Sequence, residues 1–420
     1  MNTTFMPSVN HGVGIVGGGA AGLYAAAHLL DAGIPVTVYE HKAKTLSKLL
    51  ITGKGRCNVT NDCTEEEFLR SVLRNPRFLN SAVRRHPASA VMSFFENAGV
   101  PLKVERGGRV FPESDSSRDI AAALREKTRA ARLIYEKVTS LALDSDRLVG
   151  VVTASGTHLH DAVLLATGGC SYPLTGSDGS GYKLAAQVDH TLVPVSPSLV
   201  PLTSDDPVCA AMQGLAPKNV SLTVVERATG RVLYRDFGEM LFTHFGISGP
   251  MVLSASAHLV GTDISALDAV IDWKSALDEK TLDARILSDF ETRKNLDFGN
   301  ALSALLPRLA IAPVIEKSGI DPHKKVSFIT KEERKRLLRA LKAFRVPLSG
   351  TRPIAEAIVT AGGIDVREDN PSTMMSRKKD GLFFAGEILD VDAYTGGFNL
   401  QIAFSSAAAA AEGIVRYLGA

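Results

Sequence analysis

Residues 14–22 read Gly-Ile-Val-Gly-Gly-Gly-Ala-Ala-Gly, and no other stretch constrains the fold of this chain as much. Gly17, Gly19 and Gly22 make G-x-G-x-x-G where a strand pattern, Val13–Val16, gives way to a helix pattern that runs from Ala20 to Leu30. The first glycine permits a tight turn, the second lets a pyrophosphate approach bare backbone, and the third lets helix and strand pack closely. Ala20 and Ala21 open the helix, so their free N–H groups and the positive end of the helix dipole face the phosphates. The next apolar run ends on Glu40, at the distance where a carboxylate accepts hydrogen bonds from an adenosine ribose. A 2′-phosphate would be repelled there. Alone, G-x-G-x-x-G can be an ordinary glycine-rich turn. With strand, helix and acid in place, it predicts a dinucleotide site in a Rossmann-like α/β domain.

Composition bounds the rest. At 420 residues the chain exceeds a single core, so two or three domains are expected. Its hydrophobic content of 45% and charged content of 22% are those of a globular protein. The formal charge of +2 means that any nucleic-acid contact must come from a local patch. The cysteines, Cys57, Cys63, Cys170 and Cys209, are too scattered for a disulfide framework, which points to a reducing, cytoplasmic setting. Cys57 and Cys63 lack the companion pair that a metal site needs, so no metal is expected. No run approaches the ~20 apolar residues of a membrane span. The apolar N-terminal stretch is broken by glycines and reads as the nucleotide-binding strand and helix rather than a signal peptide.

Along the chain, helix patterns cover Glu65–Leu73, Pro87–Asn97 and Ser117–Ala131, with a turn-rich piece at Arg106–Ser114. Strand patterns cover Leu133–Val138, Leu148–Ala154 and Ala162–Ala166. Beyond Val193 the texture changes. Prolines 194, 197, 201, 207 and 217 punctuate short β-type runs, such as Val220–Glu226 and Val232–Arg235. A helical stretch of about 275–345 follows, in which Thr330 and Glu333 form a capping box. The strand–turn–helix texture then returns. The expected division is a first part of a nucleotide-binding domain at 1–192, an inserted β-rich domain with a helical subdomain at 193–351, and the second part at 352–420.

Two later segments narrow the dinucleotide to one carrying a flavin. Strand Val163–Ala166 ends in Thr167-Gly168, a second place where backbone can approach a cofactor. Phe384-Ala-Gly386-Glu387 can offer a carboxylate to ribityl hydroxyls, and the turn Gly396-Gly397-Phe398-Asn399 can aim helix N–H groups at the ring edge where negative charge grows on reduction. A nicotinamide dehydrogenase needs no such distal element. FAD is therefore the expected cofactor. No second G-x-G-x-x-G is present, so NAD(P)H would visit only transiently as the ultimate donor, or another reductase would supply the electrons.

The motifs Gly17–Gly22, Gly55-Arg-Cys-Asn-Val-Thr-Asn61, Gly108-Arg-Val-Phe-Pro112, Ala166-Thr-Gly-Gly169, Phe242–Pro250, Thr360–Ile364 and Ala385-Gly-Glu387 with Gly396–Asn399 run in order over nearly the whole chain. In this the sequence resembles the YhiN/HI0933-like (BaiN-type) family of bacterial FAD-dependent flavoproteins. The resemblance implies a discontinuous Rossmann-like FAD-binding domain with an inserted β-barrel-like domain that carries a helical subdomain. One departure precedes Gly55: Leu46-Ser-Lys48 and Thr52-Gly-Lys-Gly55 stand where the family commonly has a Gly-Arg-Lys lead-in and Ser-Gly-Gly-Gly.

The loop around Gly55 supplies the candidate active face. Glycines on either side of Lys54 let it pass close to a flavin or pyrophosphate. Arg56 is a candidate to stabilise negative charge, Asn58 to hydrogen-bond the ring, and Cys57 to protonate a carbanion after hydride transfer. Cys57 reads equally well as a small buried hydrophobe. His244 is a candidate for the substrate pocket, set against the commoner fate of a structural histidine. Arg109 and Tyr394 are weaker candidates beside glycine-rich turns.

Three functions remain open. The first is an FAD-dependent reductase of a conjugated C=C or C=O bond in a small molecule, the activity that the BaiN-type resemblance implies. The second is a ribosomal RNA dihydrouridine synthase acting on a uridine of large-subunit rRNA, which other relatives in that family suggest. The third is a non-catalytic flavin-binding protein. Residues 331–345 carry Lys331, Arg334, Lys335, Arg336, Arg339, Lys342 and Arg345, either a solvated face or an electrostatic footprint for RNA. No membrane contact and no obligate protein partner are expected.

Overall fold

The computed structural model describes residues 11–145 and 147–420. Their contacts gather into two compact units. One runs to Pro197 and resumes at Ile354–Ala420; the other is Ser198–Pro353.

The first unit is built on a five-stranded parallel sheet in the order Leu382–Phe384, Ala162–Leu165, Val13–Val16, Val36–Tyr39, Arg132–Ile134. Strands Val13–Val16, Ala162–Leu165 and Leu382–Phe384 are buried along their whole length without alternation because both faces are covered, as parallel sheets require. Helix Ala20–Asp31 follows the first strand and packs on helix Phe398–Leu418. The contact is close because both helices are rich in alanine there, and Tyr24 meets Phe404 at 4.7 Å between ring centroids.

Two small antiparallel sheets flank this core. Arg147–Thr153 pairs with both Ser140–Asp144 and Gly156–Leu159. Arg109–Pro112 pairs with both Leu102–Glu105 and Thr60–Asn61. The turn-rich reading of 106–114 is thus half a hairpin: Arg109–Pro112 is strand, and Gly107-Gly108 makes the turn. Helix Ser117–Lys127 stops short of Ala131, and the Thr128 hydroxyl returns to the Leu124 carbonyl at 2.7 Å. Helix Pro76–Arg85, which the sequence reading did not separate, buries Phe78, Leu79, Ala82 and Val83.

The second unit takes its β-rich form as two four-stranded antiparallel sheets. One runs Val232–Gly238, Val220–Glu226, Leu267–Asp272, Phe344–Pro347; the other runs Leu241–Thr243, Gly246–Ser248, Leu202–Thr203, Gly350–Thr351. Its longer helices are Pro250–His258, Glu279–Thr292, Arg308–Ser318 and Lys331–Lys342. The last begins with the expected capping box of Thr330 and Glu333. Trp273 anchors the core of this unit, stacked 5.9 Å from Phe242. Among the described residues no helix is long and apolar enough to cross a membrane.

Candidate functional site

The first unit gathers most of the candidate residues. At the strand–helix junction a Cβ on Gly22 would lie 1.9 Å from the Gly17 carbonyl oxygen, so no larger residue fits this crossing. Around Gly19 the space is open, with nothing within 4 Å of where its Cβ would be. No side chain caps the helix that begins at Ala20, which leaves the N–H groups of its first turn free for an anion. Glu40 is held in place by two backbone donors, Gly18 N–H at 3.1 Å and Lys42 N–H at 2.8 Å. The carboxylate is thereby oriented beside the glycine loop and keeps lone pairs for a diol.

The distal element is assembled from parts far apart in sequence. Glu387 accepts from Lys48 Nζ at 2.6 Å, Ser171 Oγ at 2.9 Å and Thr360 N–H at 2.9 Å. Ser171 follows the Thr167-Gly168 turn, and Thr360 Oγ1 accepts from Cys170 N–H at 2.8 Å. Thr167 packs against helix Ser180–Ala186, where a Cβ on Gly181 would fall 1.9 Å from its hydroxyl. The structure therefore brings Thr167, Gly168, Gly386 and Glu387 together and adds Lys48, Ser171 and Thr360, which sequence reasoning missed. Lys48 did leave a signal. It is the one charge in the apolar stretch Leu46–Ile51, and such a cation needs a partner.

Helix Phe398–Leu418 starts at Gly397, also without a side-chain cap. Gly397 has φ +100°, and a Cβ there would sit 2.2 Å from the Thr60 carbonyl oxygen, so glycine is required on both counts. The Asn399 amide is spent on the preceding loop. It donates to the Ala393 carbonyl at 2.8 Å and accepts from the Ala393 N–H at 3.0 Å. Phe398 packs near Phe68, 6.0 Å between ring centroids. What this helix start presents is backbone N–H rather than the side chain of residue 399.

In the 53–58 loop, neighbouring side chains have different fates. The Arg56 guanidinium pairs with Glu105 and with Asp115, the latter through Nε at 2.9 Å, and its Cζ lies 4.0 Å from the Phe111 ring centroid. Hydrogen bonds donated to Glu105 and Asp115 raise its already high pKa, and those that Asp115 accepts from Lys103 and Arg56 hold it below the usual carboxylate range. Cys57 is fully buried in the main core, and burial pushes its thiol up to about 12. Asn58 Oδ1 is buried with no hydrogen-bond partner. An orphaned acceptor of this kind is costly unless a ligand satisfies it.

Arg109 shares partners with Arg56, its Nη2 3.7 Å from the Glu105 carboxylate and its Cζ 5.8 Å from the Phe111 ring centroid. Arg109 is exposed and donates to the Arg106 carbonyl at 3.1 Å. His244 is exposed at the tip of the hairpin Leu241–Ser248 in the second unit, beside Phe245. The basic stretch 331–345 is largely neutralised within its own unit. Arg334 pairs with Asp283 at 2.6 Å, Lys335 with Glu332 at 2.9 Å, Lys342 with Asp272 at 2.6 Å and Arg345 with Asp268 at 3.2 Å. Arg336 bonds the Ser318 carbonyl at 2.9 Å. Among the described residues, only Lys331 and Arg339 of this stretch have neither an ion pair nor a side-chain hydrogen bond.

Comparison with known proteins agrees with this architecture. A family model described as "HI0933-like protein Rossmann domain" matches residues 11–413. The chain is 31% identical over 400 residues to a 3-dehydro-bile acid delta(4,6)-reductase of Clostridium scindens, covering 94% of this chain and 96% of that one. It is 32% identical over 411 residues to a ribosomal RNA dihydrouridine synthase of Haemophilus influenzae, covering 96% and 98%. Its fold is similar to that of the 3-ketosteroid-delta4-(5alpha)-dehydrogenase from Rhodococcus jostii RHA1, with a TM-score of 0.53, 14% identity, and coverage of 99% and 98%. A family match along nearly its whole length, joined to relatives aligned almost end to end, means that this chain belongs to the HI0933-like family of Rossmann-domain oxidoreductases.

Proposed function

We propose that the protein is an FAD-dependent reductase of an activated C=C (or C=O) bond, with NAD(P)H as ultimate electron donor. The observation that carries the cofactor assignment is the open space at Gly19 beside an oriented Glu40, a cradle that any Cβ at residue 19 would begin to fill. The orphaned Asn58 Oδ1 supports it, since a flavin ring offers an N–H to such an acceptor. When bound, FAD supplies the hydride.

The chain's own residues bind and orient. Glu40 holds the adenosine ribose, and the N–H groups of Ala20, Ala21 and Gly22 hold the pyrophosphate. Glu387, charge-balanced by Lys48, serves the ribityl hydroxyls. The N–H groups that open helix Phe398–Leu418 stabilise negative charge on the reduced ring. Gly55 keeps its loop close to the ring, and Thr167-Gly168 line the cofactor by backbone. Arg56, locked by two carboxylates, holds the loop to the strand that carries Phe111. In this reading Cys57 packs the loop while Asn58 faces the ring.

The two relatives described above are a 3-dehydro-bile acid delta(4,6)-reductase and a ribosomal RNA dihydrouridine synthase, and a uracil ring, like an enone, carries a C=C bond conjugated to a carbonyl. The shared requirement is an enone-type acceptor. The test is to purify the protein with its yellow flavin, photoreduce it without oxygen, and follow its reoxidation. Reoxidation by a steroid enone supports the small-molecule reading. Reoxidation by a large-subunit rRNA fragment, with loss of a uridine to dihydrouridine, supports the rRNA reading. A colourless protein that takes up no FAD refutes the proposal.

A further inference from the structure

A pocket of about 600 Å³ lies in the first unit, lined by Lys44, Thr45, Leu50, Arg118, Arg125 and Tyr135. Lys44 and Thr45 follow the C-terminal end of strand Val36–Tyr39, and Tyr135 follows that of strand Arg132–Ile134. Ligands of open α/β sheets collect at this end of the strands. Three cations converge here and no carboxylate lines the space. Arg125 is set as a wall by its bonds to Thr45, Nη2 to the carbonyl at 2.8 Å and Nε to the hydroxyl at 3.3 Å. The side chains of Lys44 and Arg118 make no ion pair or hydrogen bond among the described residues. Tyr135 is 53% exposed, a ring with an open face.

The volume suits one nucleotide moiety. Charge narrows the choice. A phosphate monoester carries −1.5 to −2 near neutral pH, against −1 for an internal phosphodiester, so three converging cations favour the monoester. Glu40, by contrast, disfavours a phosphorylated ribose in the fingerprint site. We propose that this pocket takes the 2′-phosphorylated adenosine of NADPH, Tyr135 stacking on the adenine while Lys44 and Arg118 bind the phosphate, so that the donor is NADPH rather than NADH. The proposal rests on the flavin reading for its purpose: the pyridine ring loses a hydride to become NADP+, and the flavin gains it.

NADP+ and NAD+ differ only in the 2′-phosphate and cannot drive turnover, so both are titrated calorimetrically into the flavin-loaded protein. The expected result is at least tenfold tighter binding of NADP+. In the double variant Lys44→Ala, Arg118→Ala the two affinities should become equal, with flavin content and thermal midpoint unchanged. Tyr135→Ala should weaken both dinucleotides alike. Equal affinities in the unaltered protein, binding of neither, or a preference that survives the double variant overturns the proposal. A failure of the flavin reading is seen separately, as absence of the yellow cofactor before any titration.

Discussion

Asp369 shows how a single side chain sets a pH response. It is 1% exposed and neither carboxylate oxygen has a hydrogen-bond partner. Burial, reinforced by Glu368 and Asp365 and opposed by Arg377, pushes its carboxyl up to about 8. Burial also lowers the pKa of His190, whose Nδ1 lies 4.0 Å away, so both groups are neutral in the fold near pH 7. Between an unfolded pKa of about 3.9 and the folded value, the native state binds the extra proton, so stability is greatest below this window and falls as pH rises through it. Asp369→Asn should therefore raise the unfolding free energy by on the order of 1–3 kcal/mol at pH 8 and by much less at pH 5, measured by urea titration. A gain independent of pH would contradict this. Cys57 gives a second test at the same scale. With its thiol enclosed, Cys57→Ala should keep kcat within about threefold while costing about 1 kcal/mol of stability through poorer packing. A hundredfold loss of kcat would instead restore the thiol as the acid. Cys57 and Asn58 are adjacent and equally plausible from residue type. Burial of one and an orphaned oxygen on the other separate them, and neither is visible in a string of letters.

At the scale of elements, helix Lys331–Lys342 is where charge counting and structure part. Its cations and Arg345 just beyond it suggest a polyanion surface, yet Asp283, Glu332, Asp272 and Asp268 already answer four of these seven charges. Reversing Arg334 would break an ion pair that is only 15% exposed on the arginine side, and would confuse binding with folding. Lys331 and Arg339 are the informative pair. If this face binds RNA, Lys331→Glu with Arg339→Glu should reduce the slope of log K against log salt by roughly 0.7–0.9 for each phosphate no longer neutralised, without changing the thermal midpoint. Unchanged RNA affinity in a filter-binding titration would mark the face as solvated. The strands were legible for the opposite reason. Val13–Val16 and Ala162–Leu165 are apolar throughout, and only a sheet covered on both faces accommodates that pattern. Helix Pro76–Arg85 was legible by the same logic, although the sequence reading passed over it: Phe78, Leu79, Ala82 and Val83 recur at i, i+1, i+4 and i+5, one regular apolar face opposite arginines and asparagine.

For the molecule as a whole, the dinucleotide residues belong to one unit and the single tryptophan, Trp273, to the other. This separates two signals in one experiment. Far-UV circular dichroism follows both units, whereas tryptophan fluorescence follows Ser198–Pro353. FAD at a hundred times its Kd should stabilise the Rossmann unit by about 2.7 kcal/mol. The expected outcome is an upward shift of the dichroism midpoint when FAD is added to apoprotein, larger than the shift in the fluorescence midpoint. Equal shifts of both would show that the units unfold as one.

By itself the sequence determined the glycine-rich strand–helix junction of the Rossmann unit. Turn, close approach and helix dipole are local consequences of glycine spacing, and Glu40 follows within one strand–helix–strand unit. It determined the later glycine turns at Thr167-Gly168 and Gly396-Gly397 for the same reason, since each is a short strand-to-turn or turn-to-helix step. Tertiary structure decided how these pieces meet. Lys48, Ser171 and Glu387 converge because they follow strands of one parallel sheet that are distant in sequence, and Thr360 joins them from strand Val359–Ile364 of a separate two-stranded sheet. It also decided which charges are free. Arg56 and Arg334 are neutralised by carboxylates 49 and 51 residues away, whereas Lys44 and Arg118 are left facing a pocket. Ion pairing acts through space over a few ångströms, and distance along the chain does not reveal it.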